Sequence, residues 1–79
     1  MSEKLSYIDA TLRQLSAEIT RAGYNKRSFA KQAGVTPSQL GDWLNGRYAI
    51  PVTRVGEFLE ILGVDPGDFG RGVSELMRK

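Results

Sequence analysis

Glycines divide this 79-residue chain into short segments, and apolar residues recur at helical spacing within the segments. In the first segment Leu5, Ile8, Leu12 and Leu15 lie three or four residues apart, which puts them on one face of a helix, and this face is expected to pack in the core. Glycine often ends a helix, because it tolerates the left-handed backbone of the C-terminal cap. The pattern predicts a series of short helices, of which the first spans about residues 4–22. The glycines that follow the segments are Gly23, Gly34, Gly46 and Gly63.

Capping residues mark the start of the second and third helices. Asn25 is placed to cap a helix over residues 26–33. Thr36 is placed to cap a helix over residues 36–45, with Pro37 at a first position where its missing N–H costs nothing. Both helices are therefore predicted to be short and to have sharply defined ends.

The last third of the chain predicts two further helices. The fourth begins at Pro51 or Thr53, and its apolar residues are again three or four positions apart. Asp65 and Pro66 form a second cap-plus-proline pair, and the Gly-Arg-Gly at 70–72 is expected to loosen the chain before a short tail. Because strand-like alternation is absent from the sequence, we predict an all-α fold, a compact bundle of about five short helices in a single domain over residues 1–79.

The chain contains neither cysteine nor histidine. This inventory excludes disulfides, zinc fingers and histidine-based catalytic triads. We therefore predict a protein that is not an enzyme and has no catalytic residues, no metal site and no cofactor. The apolar runs are too short to span a membrane and the N-terminus lacks the apolar region of a signal peptide, so a cytoplasmic location is expected.

Charge is unevenly distributed along the sequence. Residues 21–54 contain six basic residues and one acid, Asp42, whereas the rest of the chain is net acidic. A basic middle between acidic flanks is the electrostatic pattern expected of a protein that binds a polyanion. The alternative is a chance excess of charge on solvated helix faces.

The second and third helices, joined by a turn at Gly34, have the features of a helix-turn-helix over about residues 25–46. Ala30 is small enough to let the two helices cross closely, while Val35 and Leu40 are placed to hold the turn and the third helix on the core. The outward positions of the third helix carry small or polar residues. Such a helix can enter the DNA major groove, which is about 12 Å wide.

The run "SFAKQAGVTPSQLGDWLNGRYAIPVTRVGEFLEILGVDPGDF" resembles the lambda-repressor-like (Cro/XRE) helix-turn-helix family, which includes phage and prophage repressors. The similarity covers about residues 24–69 and includes the alanine before the Gly-Val turn, the Thr36 cap, the Asn-Gly helix end and the later Leu-Gly-Val. It implies a DNA-binding domain. The positions that it implies for base reading are Pro37, Ser38, Gln39 and Asp42. The positions that it implies for phosphate binding are Lys26, Arg27, Lys31, Arg47, Tyr48 and Arg54.

Several of these positions have a second interpretation. Gln39 can serve as a capping-box partner of Thr36 rather than as a base contact. Asp42 can accept a hydrogen bond from a cytosine amino group, repel wrong sequences or pair with a neighbouring arginine. Trp43 is interpreted as a core residue, and Tyr48 as either a phosphate contact or a surface packing residue.

The tail over residues 70–79 contains a small apolar stripe, made by Val73, Leu76 and Met77. This stripe either folds back on the chain's own core or pairs with a second copy, and a homodimer is the expected state because two-fold operators need two recognition helices. The predicted function is a regulator of transcription, a repressor that binds specific double-stranded DNA and is nucleoid-associated for that reason. The alternative is a protein-interaction module, such as the antitoxin of a toxin–antitoxin pair.

Overall fold

The computed structural model describes residues 5–78, which form five α-helices and no strand. Helix α1 packs against α5 and α3, and α2 packs against α3 and α4. This arrangement confirms the predicted all-α bundle. None of the helices within residues 5–78 has the length and apolar character needed to cross a membrane. The helices are α1 (Tyr7–Arg21), α2 (Lys26–Ala33), α3 (Pro37–Leu44), α4 (Val52–Leu62) and α5 (Pro66–Arg78).

Helix α1 begins later than its apolar stripe predicts. The cap is Ser6, whose side-chain oxygen accepts a hydrogen bond from the backbone N–H of Asp9 at 3.0 Å. The residues of the predicted start before Leu5 lie outside the described part of the chain. Leu12 and Leu15 are buried as expected, but Ile8 remains 62% exposed. Ile8 is therefore left facing solvent, whereas Leu5 at the end of the same stripe packs against the core.

The helix-turn-helix has the predicted boundaries because its signals are local. Asn25 and Ser28 exchange side-chain and backbone hydrogen bonds in a capping box at the start of α2. Gly34 ends α2 with φ of 74°, a left-handed conformation that favours glycine. Thr36 then caps α3 by accepting a hydrogen bond from the backbone N–H of Gln39 at 3.0 Å. The turn between the helices is thus fixed on both sides.

An aromatic cluster lies behind the helix-turn-helix. Phe29 of α2 packs edge-on against Phe58 of α4, with ring centroids 5.0 Å apart, and Trp43 of α3 approaches the same Phe58 at 6.2 Å. Trp43 is only 7% exposed, which confirms its interpretation as a core residue. Ala30 of α2 is also fully buried. The cluster holds α3 firmly and leaves its opposite face to solvent.

The expectation that residues 70–72 loosen the chain is wrong, because α5 continues without interruption from Pro66 to Arg78. Asp65 caps this helix as predicted, accepting a hydrogen bond from the backbone N–H of Gly67 at 2.9 Å. Tertiary packing overrides the low helix propensity of glycine, since Phe69 and Val73 are both buried.

The apolar stripe of the tail contributes to the chain's own core. Val73 is 2% exposed, and Leu76 and Met77 are half-buried against the same core cluster. Of the two arrangements left open by the sequence, the described chain adopts the one in which the stripe folds back. Val73 can contact a second copy only if this core opens.

Candidate nucleic-acid interface

The outer face of α3 is available to a ligand. Pro37, Ser38 and Gln39 are exposed, whereas Leu40 and Trp43 point into the core. The backbone N–H of Gln39 completes the Thr36 cap, but its side chain makes no reciprocal hydrogen bond within residues 5–78. The Gln39 amide is therefore not used by a capping box and remains free to hydrogen-bond a base.

Asp42 lies one turn further along α3 and is half-buried. Its backbone carbonyl accepts hydrogen bonds from the backbone N–H groups of Arg47 and Tyr48, at 2.9 and 3.4 Å, and so organises the loop after the helix. Its carboxylate forms no ion pair with any residue of the described chain. The pairing with a neighbouring arginine that the sequence left open is not observed, so the carboxylate keeps its capacity to accept hydrogen bonds.

Lys26 at the start of α2 lies against α3. A Cβ atom placed on Gly41 would be 3.2 Å from Lys26 Nζ and 3.6 Å from Lys26 Cδ and Cε. The end of the lysine side chain thus lies against α3 at Gly41, the one position where the helix has no side chain. The close approach joins the predicted phosphate-binding and base-reading groups into one surface.

The other predicted phosphate-binding residues near α3 are exposed cations. Arg27 and Lys31 lie on the solvent side of α2, and the guanidinium of Arg47 lies 5.8 Å from the ring centroid of Tyr48 just after α3. The ion pairs formed within residues 5–78 involve other side chains, namely Arg21–Glu18, Arg54–Glu57 and Arg71–Asp68. Positive charge around α3 is therefore not neutralised by the described acids.

Arg54 occupies a different environment from these cations. Its Nη1 group donates to the backbone carbonyl of Ala33 at 3.3 Å and pairs with Glu57 at 3.1 Å. Its guanidinium carbon also lies 5.8 Å from the ring centroid of Trp43, within cation–π range. Arg54 links the end of α2 to α3 and α4, a structural role that its sequence position did not indicate.

Two features of this surface were missed by reasoning from sequence. The approach of Lys26 to Gly41 is a tertiary contact that local sequence patterns do not encode. The bridging contacts of Arg54 depend in the same way on the packing of three helices. The charge asymmetry and the helix-turn-helix, in contrast, are properties of the sequence, and they predict a DNA-binding surface around α3.

Comparison with known proteins agrees with this geometry. A protein-family profile described as "Helix-turn-helix" matches residues 12–69, which include α2, α3 and α4 completely. No curated protein and no solved structure matches the chain. The profile covers well over half of the sequence and corresponds to the Cro/C1 type of helix-turn-helix. The chain belongs to the lambda-repressor-like (Cro/XRE) helix-turn-helix family of DNA-binding regulators.

Proposed function

We propose that the protein is a sequence-specific repressor of transcription that inserts α3 into the major groove of double-stranded DNA. The observation that carries the proposal is the exposed outer face of α3 surrounded by cations that have no acidic partner in the described chain. Phosphate contacts fix a protein on the duplex, and contacts to base edges select the sequence. Both kinds of group occur on this one surface.

The dimensions of α3 support groove entry. Its eight residues, Pro37–Leu44, span about 12 Å at the usual helical rise. The helix is capped by Thr36 and by Asn45, so it is short enough for its N-terminal residues to enter the groove without the rest of a long helix. In this proposal Ser38 and Gln39 contact base edges, and Asp42 accepts from a cytosine amino group.

The cations have the complementary task of gripping the backbone. Lys26 and Arg27 precede α3 in the chain and Arg47 follows it; all three are exposed and contact phosphates in the proposed complex. Lys31 and Tyr48 extend the same surface, and Arg54 contributes mainly by holding the helices in place. Occupancy of an operator then represses transcription by excluding polymerase from the overlapping promoter.

A homodimer is part of the proposal. A single helix of this length reaches few bases, and single small modules bury less surface than most specific complexes. Two copies on a two-fold operator place two recognition helices about 34 Å apart, one helical turn of DNA. The dimer therefore doubles both the base contacts and the phosphate contacts.

The experiment that tests the proposal is selection of duplexes from a random pool, followed by affinity measurements over a salt series. We expect one sequence, with two related half-sites, to be enriched and to bind with an affinity that falls steeply as salt rises, because bound phosphates release counterions. Absence of retention of any duplex at low salt, or an affinity independent of salt, would contradict the proposal.

A further inference from the structure

The chain contains two asparagines, Asn25 and Asn45, and only Asn45 is followed by a glycine. Asn45 is the C-cap of α3, and both it and Gly46 are exposed. Because glycine has no Cβ, its backbone nitrogen is less shielded from a neighbouring side chain than the nitrogen of any other residue. The amide of Asn45 is therefore more open to attack by the next backbone nitrogen than the amide of Asn25, which precedes Lys26.

The fold itself requires a glycine after Asn45. Gly46 has φ of 78°, in the left-handed region that favours glycine. The backbone N–H of Arg47 then donates to the carbonyl of Asp42 at 2.9 Å, which closes the end of the helix in the manner of a Schellman cap. The residue that ends α3 is thus the same residue that leaves Asn45 open to attack.

The two asparagine side chains also differ in their surroundings. Asn25 Oδ1 accepts a hydrogen bond from the backbone N–H of Ser28 at 2.8 Å in the capping box of α2. The side-chain amide of Asn45 makes no hydrogen bond within residues 5–78. It lines an open groove together with the polar side chains of Asp9 and Ser16. Water therefore reaches Asn45 freely.

We propose that Asn45 is a site of spontaneous deamidation in the folded protein. The backbone nitrogen of Gly46 attacks Cγ of Asn45, so an N–Cγ bond forms and the Cγ–Nδ2 bond breaks. The proton of the Gly46 nitrogen passes through water to the leaving amide, which departs as ammonia. Water then opens the resulting five-membered imide at either of its two ring C–N bonds that involve the Gly46 nitrogen, and the products are aspartate and isoaspartate. The net change exchanges –NH2 for –OH and needs neither an oxidant nor a reductant.

A hydrogen bond at the end of α3 controls the first step. The backbone N–H of Gly46 donates to the carbonyl of Trp43 at 3.1 Å, and this bond must open before the nitrogen can reach Asn45 Cγ. Helix ends open at a small free-energy cost compared with global unfolding. We therefore expect the reaction to be slower in the folded chain than in the unfolded chain, but to proceed in both.

Both products change the end of α3. Each adds a carboxylate at the C-terminal end of the helix, where the helix dipole disfavours negative charge, and next to the exposed Arg47. Isoaspartate also adds a methylene group to the main chain, which displaces the hydrogen bond between Arg47 and Asp42. Weaker DNA binding is the expected consequence. This consequence rests on the proposed function, whereas the modification itself does not.

The test is peptide mass mapping of the whole chain after incubation at mildly alkaline pH, with Asn45→Gln as the control. Glutamine keeps the amide but would have to close a six-membered ring, which forms far more slowly. We expect the peptide that contains Asn45 to gain about 1 Da, with release of an equal amount of ammonia. Conversion of Asn45 should be at least about tenfold faster than conversion of Asn25, and Asn45→Gln should show no change at position 45.

Equal conversion of the two asparagines would overturn the inference. So would an Asn45 that stays intact in the folded chain while the urea-unfolded chain is fully converted. Conversion of Asn45 in a chain that retains no duplex at low salt would support the inference and remove the proposed function. Salt-dependent DNA binding by a chain whose Asn45 stays intact would do the reverse.

The Asn45→Asp variant tests the consequence for DNA, because it carries the charge of the products in the normal main chain. We expect it to bind a selected duplex roughly fivefold more weakly than the wild type at low salt. An affinity equal to that of the wild type would overturn this consequence.

Discussion

Lys26 Nζ lies 3.2 Å from the point that a Cβ of Gly41 would occupy, so the end of this α2 side chain lies beside the position in α3 that has no side chain. A glycine inside a helix costs about 1 kcal/mol relative to alanine. In the structure, the missing side chain of Gly41 leaves space for a cation beside the proposed base-reading residues. A change at Gly41 is therefore expected to affect both the stability of α3 and the position of the Lys26 charge.

Replacing Gly41 by alanine should separate these two effects. The new methyl group raises helix propensity, so the free energy of unfolding should rise by up to about 1 kcal/mol. The same methyl group displaces the flexible end of Lys26, so affinity for DNA should fall by roughly fivefold, in line with one weakened charged hydrogen bond. Urea unfolding and DNA titration of the same sample measure both quantities.

Gly56→Ala is the matched control for this change. Gly56 lies inside α4, is exposed, and has nothing within 4 Å of its Cβ position. We expect it to stabilise the fold to a similar extent without changing DNA affinity. In a Lys26→Ala background, Gly41→Ala should have no further effect on DNA affinity; an undiminished loss there would show that the two residues act independently.

Removing the charge of Lys26 should weaken binding to every duplex by about the same factor. A lysine that contacts phosphate contributes affinity without sequence information, and its loss lowers the slope of the salt dependence by about 1. The measurement is the affinity of Lys26→Ala for the selected duplex and for an unrelated duplex over a salt series. A loss confined to the selected duplex would assign Lys26 to base reading instead.

Changes at Ser38 and Gln39 should instead alter which DNA sequence is preferred, without changing the salt dependence of binding. Each side chain is exposed on the outer face of α3 and carries no formal charge. Ser38→Ala and Gln39→Ala are expected to alter the preferred base at one position by about 1–3 kcal/mol and to leave the salt slope unchanged. Repeating the duplex selection with each variant identifies that position, and an unchanged selected sequence for both variants would contradict the assignment.

The boundaries of α2 and α3 could be predicted because their determinants are close in sequence. Asn25, Gly34 and Thr36 act on backbone groups three or four residues away, and each has the predicted role. The interior of α5 could not be predicted in this way. Its glycines at 70 and 72 favour a break locally, but burial of Phe69 and Val73 against other helices keeps the segment helical.

The candidate site shows the same division between features that the local sequence predicts and features that depend on tertiary packing. The family resemblance and the charge pattern predict a binding surface around α3, since both are properties of the sequence itself. The contact between Lys26 and Gly41, and the bridge formed by Arg54, arise only after α2, α3 and α4 have packed. The exposed Ile8 illustrates the converse error, because a residue in register with a buried stripe was assumed to be buried.

Arg54 should prove to be a stabilising residue. Its hydrogen bond to the Ala33 carbonyl satisfies an acceptor at the end of α2, and its guanidinium also packs on Trp43. We expect Arg54→Ala to lower the free energy of unfolding by about 1–3 kcal/mol. Glu57→Gln, which removes only the exposed ion pair, should lower it by less than about 1 kcal/mol. Equal losses in urea unfolding would mean that the ion pair, and not the bridge, is what stabilises the fold.

The two glycines inside α5 offer a final comparison within one helix. A Cβ on Gly70 would meet nothing within 4 Å, whereas a Cβ on Gly72 would lie 2.7 Å from Gln14 Nε2. That same nitrogen donates to Glu18 at 3.0 Å, so a methyl group at position 72 must displace a hydrogen-bonded side chain of α1. Gly70→Ala should therefore stabilise the fold by about 1 kcal/mol through helix propensity. Gly72→Ala should gain less or lose stability, because the lost hydrogen bond is worth about the same amount. Thermal unfolding of the two variants measures the difference, and a Gly72→Ala protein as stable as Gly70→Ala would show that α1 and α5 adjust to the added methyl group without cost.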